Sequence, residues 1–395
     1  MTAARTVLEH AHVVQHDGVV ARPLHFSGGR VADSSPHDIR VDLRDHVIFP
    51  GLINSHDHLQ LNAVPPLIHT KPFASSYAWI EAFASHFDDP DVAAAIAMPS
   101  AIRHWHGGLK NLLAGATTVA HHDPRHAVFD DDAFPVGLLQ RFGWAHSLGL
   151  GECRDGNPPR YGPSVQESFA ATPRQQPWII HLAEGTDSGA RSELSRLDQM
   201  GCLADNTVLV HGIGLSRLDV AQVVGRGAAV VWCPSSNLGM FGITLAPRVL
   251  FQARRLSLGT DSRLTGCRDL LAELAVAMTH SDLSARELLR LVTTDASCVL
   301  RLPLAGGLAM GQTADCVIVR ADAEPFGSLI GRARRDIRAV VRRGVPVIAD
   351  PDFADWFSRC GVETVSVTLD GAPKLMRRSV VPPHLADLEP GLILG

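Results

Sequence analysis

Trp178-Ile179-Ile180-His181-Leu182-Ala183-Glu184 is an apolar run that ends on a histidine and turns into a polar segment. The same kind of ending recurs at Val208-Leu209-Val210-His211-Gly212 and at Leu258-Gly259-Thr260-Asp261-Ser262. Short apolar runs bounded by glycine and polar residues read as buried parallel strands. Their polar ends are 30 (211 − 181) and 50 (261 − 211) residues apart. A (β/α)8 barrel spreads eight βα units over about 250 residues, so these gaps fit one and two units. The C-terminal ends of all its strands meet at one mouth, which unites residues distant in sequence.

The surrounding texture agrees. Ala116–Ala120, Gly143–Leu148, Thr207–His211, Ala228–Trp232 and Arg255–Leu258 read as further strands. Asp91–Gly107, Ser188–Gly201, Ser216–Gly225, Asp269–His280 and Ser284–Thr293 read as helices between them. This alternation predicts an α/β fold, a TIM-like (β/α)8 barrel over residues 50–302. Outside it the chain changes character. Thr6–Leu8, Val13–Val14, Val19–Val20, His25–Phe26 and Val41–Leu43 are short β runs, with turns at Asp17-Gly18 and Gly28-Gly29. Similar runs return at Cys316–Val319 and Ile337–Val341. Neither end alone can close a core, so residues 1–49 and 303–395 are expected to form one small β-sandwich domain. Its last stretch, Arg377–Gly395, holds three prolines and reads as an extended arm or mobile tail.

Upstream of these strand ends, Ile53-Asn54-Ser55-His56-Asp57-His58 places two histidines two positions apart. On a strand, residues i and i+2 share a face, so both imidazoles can converge on one ion. The preceding Val47–Ile53 reads as a strand entering from another domain. His121-His122-Asp123 is a second histidine pair, but adjacent strand residues face opposite ways, so at most one faces the mouth.

Composition narrows the function. Hydrophobic residues make up 46% of the 395 residues and charged residues 19%, enough for a sizeable core. The net charge of −5 gives no basic field for nucleic acid or an anionic membrane. The local cluster Arg332, Arg334, Arg335 and Arg338 reads as a solvated helix face. No window approaches the ~20 apolar residues of a membrane span, and the start has no signal-peptide pattern. The seven scattered cysteines, including Cys153, form no CxxC pair, which fits reduced thiols in a cytoplasmic protein.

Taken in order, Pro50–His58, His181–Glu184, His211-Gly212, Cys233-Pro234-Ser235-Ser236-Asn237 and Gly259–Ser262 resemble the amidohydrolase superfamily. The likeness is strongest to its cytosine/adenosine deaminase and triazine chlorohydrolase branch. Gly115–Val119, Leu291–Ser297, Gly306–Leu308 and Gly311–Asp315 extend the resemblance to about residues 5–350. It implies that His56, His58, His181 and Asp261 bind one metal ion per chain. A three-nitrogen, one-oxygen set suits Zn2+ and also accepts Fe2+. It implies that Glu184 shuttles a proton, that His211 polarises the electrophile or holds the attacking water, and that Asp261 takes the water's second proton. Superfamily members with two metals bridge them through a lysine or carboxylate after the fourth strand. None of Lys71, Lys110 and Lys374 suits that position, which favours a mononuclear site.

The resemblance thus implies a hydrolase of a non-peptide C–N bond in a small molecule, foremost a deaminase of an amino-substituted heterocycle. Opening of a cyclic amide and hydrolytic dechlorination use the same machinery. A phosphotriesterase-like activity lacks its bridging lysine, and a non-catalytic barrel subunit fits poorly with a complete residue set. Relatives often form homodimers. Gln60, Trp79, His122, His146 and Arg263 are substrate candidates, each with a packing role as its alternative; Arg263 has the two-pronged geometry for a carboxylate. The segment between Leu150 and Trp178 lacks the histidine common in purine deaminases, and no fourth strand can be placed in it.

Overall fold

The computed structural model describes residues 5–15, 18–33, 36–152 and 158–395, except the side chains of Pro383 and His384. Asp17, of the expected turn, and Cys153 lie outside these residues. The fold is mixed α/β.

Eight short strands carry the centre: β1 (Leu52–Asp57), β2 (Ala116–His121), β3 (Gly137–Leu138), β4 (Gly143–Ser147), β5 (Trp178–Leu182), β6 (Thr207–His211), β7 (Ala229–Trp232) and β8 (Leu256–Leu258). They pair in parallel as two ladders, β1-β2-β3 and β4-β5-β6-β7-β8. Nearly every residue of β5, β6, β7 and β8 is buried, which is why these strands are continuously apolar in sequence and do not alternate. The ladders meet beyond β8, where His56 O accepts from the backbone N–H groups of Thr260 and Asp261, both at 3.1 Å. Gly259 permits this approach, since a Cβ there would lie 2.7 Å from His56 Cβ.

The strand that the sequence hides is β3. It has two residues and stands before β4, not in the 151–177 segment, whose main element is a helix at Val165–Ala171. The expected helix Asp91–Gly107 is instead two helices, Pro90–Ala97 and α2 (Ser100–Leu113, after α1 at Ser76–His86). Pro99 separates them, because proline disfavours helical backbone in the residue before it. The other helices that reach the site are α3 (Ser188–Gln199), α4 (Pro234–Phe241) and α5 (Leu270–Thr279).

Both chain ends build β structure. Thr6–Glu9, Leu24–Ser27, Arg30–Ala32 and Ile39–Asp42 form a four-stranded sheet. A nine-stranded sheet combines His12–Val14, Val19–Ala21 and His46–Pro50 with six strands from Cys316 onward. Leu8, Phe26 and Ile39 of the first share a buried cluster with Ile48, Ile318 and Val341 of the second.

Two expectations for the C-terminal region are corrected. Arg377–Gly395 is no loose arm, because Leu392–Leu394 pairs with Thr364–Leu369 and Leu385, Glu389 and Leu392 are buried. Nor is the arginine cluster a solvated helix face. Arg334 is buried between Glu389 and Asp370, and Arg338 pairs with Asp350 and Asp352. Among the described residues the six cysteines are free, and no helix is long and apolar enough to cross a membrane.

Candidate active site

His56 and His58 stand at the end of β1, His181 near the end of β5, and Asp261 three residues beyond β8. Their functional atoms converge. His58 Nε2 and His181 Nε2 are 3.2 Å apart, and His181 Nε2 and His56 Nε2 are 3.3 Å apart. Asp261 Oδ1 lies 3.7 Å from both His56 Nε2 and His58 Nε2. Tetrahedral zinc with bonds of about 2.0–2.1 Å has ligand–ligand edges of roughly 3.3 Å, so the four atoms fit one such ion.

The protonation pattern supports that fit. His58 Nδ1 donates to Asp123 Oδ2 at 2.6 Å, and His181 Nδ1 donates to the carbonyl of His146 at 2.7 Å. With each proton committed to Nδ1, the two Nε2 lone pairs point at each other, an arrangement that a cation between them would relieve. Asp261 Oδ2 accepts from Ser236 Oγ at 2.8 Å and Thr265 Oγ1 at 2.6 Å, which leaves Oδ1 for the centre. His122 adds a fourth imidazole; one ligand atom from each of His56, His58, His122 and His181 lies within 4.8 Å of the others. Its Nε2 donates to Ala145 O at 3.0 Å, and its ring stacks on His181.

Beside this cluster, Glu184 Oε1 is 3.4 Å from His211 Nε2. His211 Nδ1 donates to Asn237 Oδ1 at 2.8 Å, so its other nitrogen faces the carboxylate. Burial pushes the Glu184 carboxyl above its ordinary value, opposed by the nearby His211. Burial likewise lowers His146 to about 4. At Asp123 burial would raise the carboxyl, but the adjacent His58 outweighs it and holds the group well below the usual range.

The backbone is bent to make these contacts. Ala183, His211 and Asp261 have φ of 52°, 75° and 55°, left-handed values that cost a non-glycine residue about 1–3 kcal/mol each. Such outliers clustered at one mouth motivate a functional reading.

Above the cluster opens a cavity of about 410 Å³, lined by His58, His181, Glu184, His211 and Asp261 at its base and by apolar side chains such as Leu61, Ile80 and Met240. Of the substrate candidates, Gln60, Trp79 and His146 line it, while His122 and Arg263 do not. For Arg263 the packing alternative fits. Its guanidinium makes a two-pronged pair with Glu389, at 2.9 and 2.8 Å, so the carboxylate it binds belongs to the chain itself. His122 Nε2 is held by Ala145 O and its ring stacks on His181, while its buried Nδ1 has no hydrogen-bond partner among the described residues.

Sequence reasoning missed Asp123, which also accepts from Gln60 Nε2 and Tyr161 Oη, each at 2.6 Å. Its place just beyond β2, the strand-end position the other site residues share, was the available signal. It quoted Ser236 and Asn237 without a role and missed Thr265; the three orient Asp261 and His211.

The sequence model of the amidohydrolase family matches residues 176–367. A 5-methylthioadenosine/S-adenosylhomocysteine deaminase of Pyrococcus abyssi is 27% identical over 44% of this chain and 47% of its own length. A 5'-deoxyadenosine deaminase of Methanopyrus kandleri is 28% identical over 35% of this chain and 36% of its own length. The chain thus spans about half or less of these curated relatives. Among solved structures, a zinc-bound adenosine deaminase of Xanthomonas campestris has a TM-score of 0.67 at 20% identity, covering 90% of this chain and 97% of its own. The zinc complex of atrazine chlorohydrolase from Arthrobacter aurescens has a TM-score of 0.71 at 20% identity, covering 90% and 100%. At these identities the structures speak to the fold alone. The match to the amidohydrolase family model, residues 176–367, is the stretch that holds His181, Glu184, His211 and Asp261.

Proposed function

We propose that this protein is a metal-dependent hydrolase that deaminates an amino-substituted heterocycle. One observation carries the reading: His56, His58, His181 and Asp261 converge at 3.2–3.7 Å at the base of a cavity that Glu184 also lines. The deaminase relatives support the reaction type. The parallel strand order and the fold likeness support a (β/α)8 barrel over residues 50–302, with residues 1–49 and 303–395 as a composite β-sandwich domain.

His56, His58, His181 and Asp261 would hold the ion, zinc or iron. Bound there, it would act as a Lewis acid and lower the pKa of water from near 16 towards ~7. Asp261 Oδ1 accepts a proton from the attacking water. The carboxyl of Glu184, whose protonated form burial favours, gives its proton to the leaving nitrogen. Water's oxygen joins the ring carbon, the C–N bond breaks, and ammonia leaves. His211 Nε2, 3.4 Å from Glu184 Oε1, lines the same cavity beside that carboxyl. Trp79, stacked on Phe83 with ring centroids 5.0 Å apart, offers a flat apolar wall to a heterocycle. Gln60 and His146 supply polar edges. Ring-opening of a cyclic amide and displacement of chloride from an electron-poor ring would use the same groups.

The test is metal content and ammonia release from a panel of amino-heterocycles, with and without chelator. About one zinc or iron per chain with chelator-sensitive ammonia release is expected. Bound metal with no ammonia from any compound would shift the reaction to ring-opening or dehalogenation. Failure to bind metal after reconstitution would sink the ligand set.

A further inference from the structure

Glu193 is a carboxylate that the proposed chemistry does not use. It stands on α3, is buried, and points at the turn that carries Glu184. Its Oε2 accepts from the backbone N–H of Ala183 at 2.7 Å, and its Oε1 accepts from the hydroxyl of Tyr77 at 2.7 Å. Tyr77, on α1, accepts in turn from the backbone N–H of Gly149 at 2.9 Å. One carboxylate therefore joins three segments, and each lines the cavity: the turn through Glu184, α1 through Ser76 and Trp79, and the segment after β4 through Leu150. The fit is close, since a Cβ on Gly149 would lie 2.5 Å from the Tyr77 ring.

Why such a brace is needed follows from strand geometry. Residues three apart on an extended chain face opposite ways, yet His181 and Glu184 both line the same cavity. The left-handed Ala183, with φ of 52°, makes the reversal. That backbone is strained for alanine and persists only if its surroundings fix it. Gly214 N–H donates to Ala183 O at 2.7 Å and Ser76 N–H donates to Glu184 O at 2.9 Å, but the amide of Ala183 itself is held, among the side chains of the described residues, by Glu193.

We infer that Glu193, braced by Tyr77, is a positioning residue: it holds the Ala183 turn and thereby sets the aim of Glu184. The inference rests on the proton-transfer role proposed above for Glu184. Glu193→Gln keeps an acceptor oxygen for Ala183, whereas Glu193→Ala removes it, and Tyr77→Phe removes only the brace.

The three variants and the unaltered zinc-loaded protein are compared for zinc content, kcat and KM, and for amide hydrogen exchange across residues 182–186. E193A is expected to speed exchange of the Ala183 amide about tenfold or more. Its kcat should fall on the order of 10²-fold, the effect of about 1 Å of misplacement, with KM and zinc content retained. E193Q should recover most of both, and Y77F should fall between. Unchanged kcat in E193A, or a loss that tracks zinc content or melting temperature and is not rescued in E193Q, overturns the inference. If the unaltered protein releases ammonia from no compound, the deaminase reading has failed. The exchange measurement then still decides, because unchanged protection at Ala183 in E193A removes the positioning role.

Discussion

Lys110 Nζ lies 3.1 Å from Asp57 Oδ2, and neither side chain has any exposed surface. Asp57 sits between the two β1 histidines of the cluster, facing away from it. It also accepts from Asn111 Nδ2 at 2.7 Å and Asn62 Nδ2 at 2.9 Å. Lys110 further donates to Asn62 Oδ1 at 2.8 Å and Thr260 Oγ1 at 3.3 Å. The network ties β1 to α2 and to the loop that carries Asp261. Gly107, one helical turn before Lys110, lets α2 approach, since a Cβ there would lie 2.3 Å from Leu59 O.

Removing one member of a buried ion pair strands the other charge. Lys110→Met is expected to cost about 3–5 kcal/mol in urea unfolding, with Asp57→Asn/Lys110→Met recovering part of that loss. A cost within experimental error for the single variant would mean that the amide donors alone satisfy Asp57.

How far the sequence revealed this molecule depends on the range of each signal. His181, His211 and Asp261 were legible because each ends a run of apolar residues, a pattern contained within five or six positions. β3 was not, because two residues carry no periodicity. Lys110 was set aside as a metal-bridging residue, but its partners Asp57 and Thr260 are 53 and 150 positions away. Arg263 was left open between substrate and packing roles for the same reason: the carboxylate it binds is 126 residues downstream. Charge pairing across such distances leaves no local trace.

Glu273 makes a separate pH prediction. It is wholly buried on α5, accepts from Ser235 N at 2.9 Å, and contacts Ser235 Oγ and Cys267 Sγ. Burial pushes its carboxyl from 4.5 up to about 7. A raised acid favours the folded state while protonated, so its contribution is complete below pH 4.5 and is lost as pH rises through 7. The loss is roughly 3 kcal/mol across that window. Glu273→Gln should flatten the fall in unfolding free energy between pH 4.5 and 7.5. An unaltered slope in the variant would assign the pH dependence to other groups.

Arg263 separates a structural from a substrate role. Glu389 is held by Arg263, Arg334 and His106, which anchors the C-terminal segment beside the Asp261 loop. Arg263→Ala should lower stability by about 3 kcal/mol, the lower part of the range for breaking a buried pair, because two partners of Glu389 remain. KM should change equally for substrates with and without a carboxylate. A rise in KM confined to carboxylated substrates would restore Arg263 as a substrate contact.

Asp123 offers the sharpest view of the proposed metal site with every ligand left in place. Its carboxylate fixes the proton of His58 on Nδ1 and so keeps the Nε2 lone pair turned to the centre. Outer partners of this kind typically govern 10–100-fold in metal affinity. Asp123→Asn should therefore weaken zinc binding by about 10–100-fold in competition with a chromophoric chelator, while the apo protein unfolds at a similar temperature. His181 supplies the internal comparison, because its Nδ1 proton goes to the backbone carbonyl of His146 and no side-chain substitution removes that acceptor. If zinc affinity in D123N equals that of the unaltered protein, a neutral acceptor or packing suffices to orient His58 and the charge of Asp123 adds nothing.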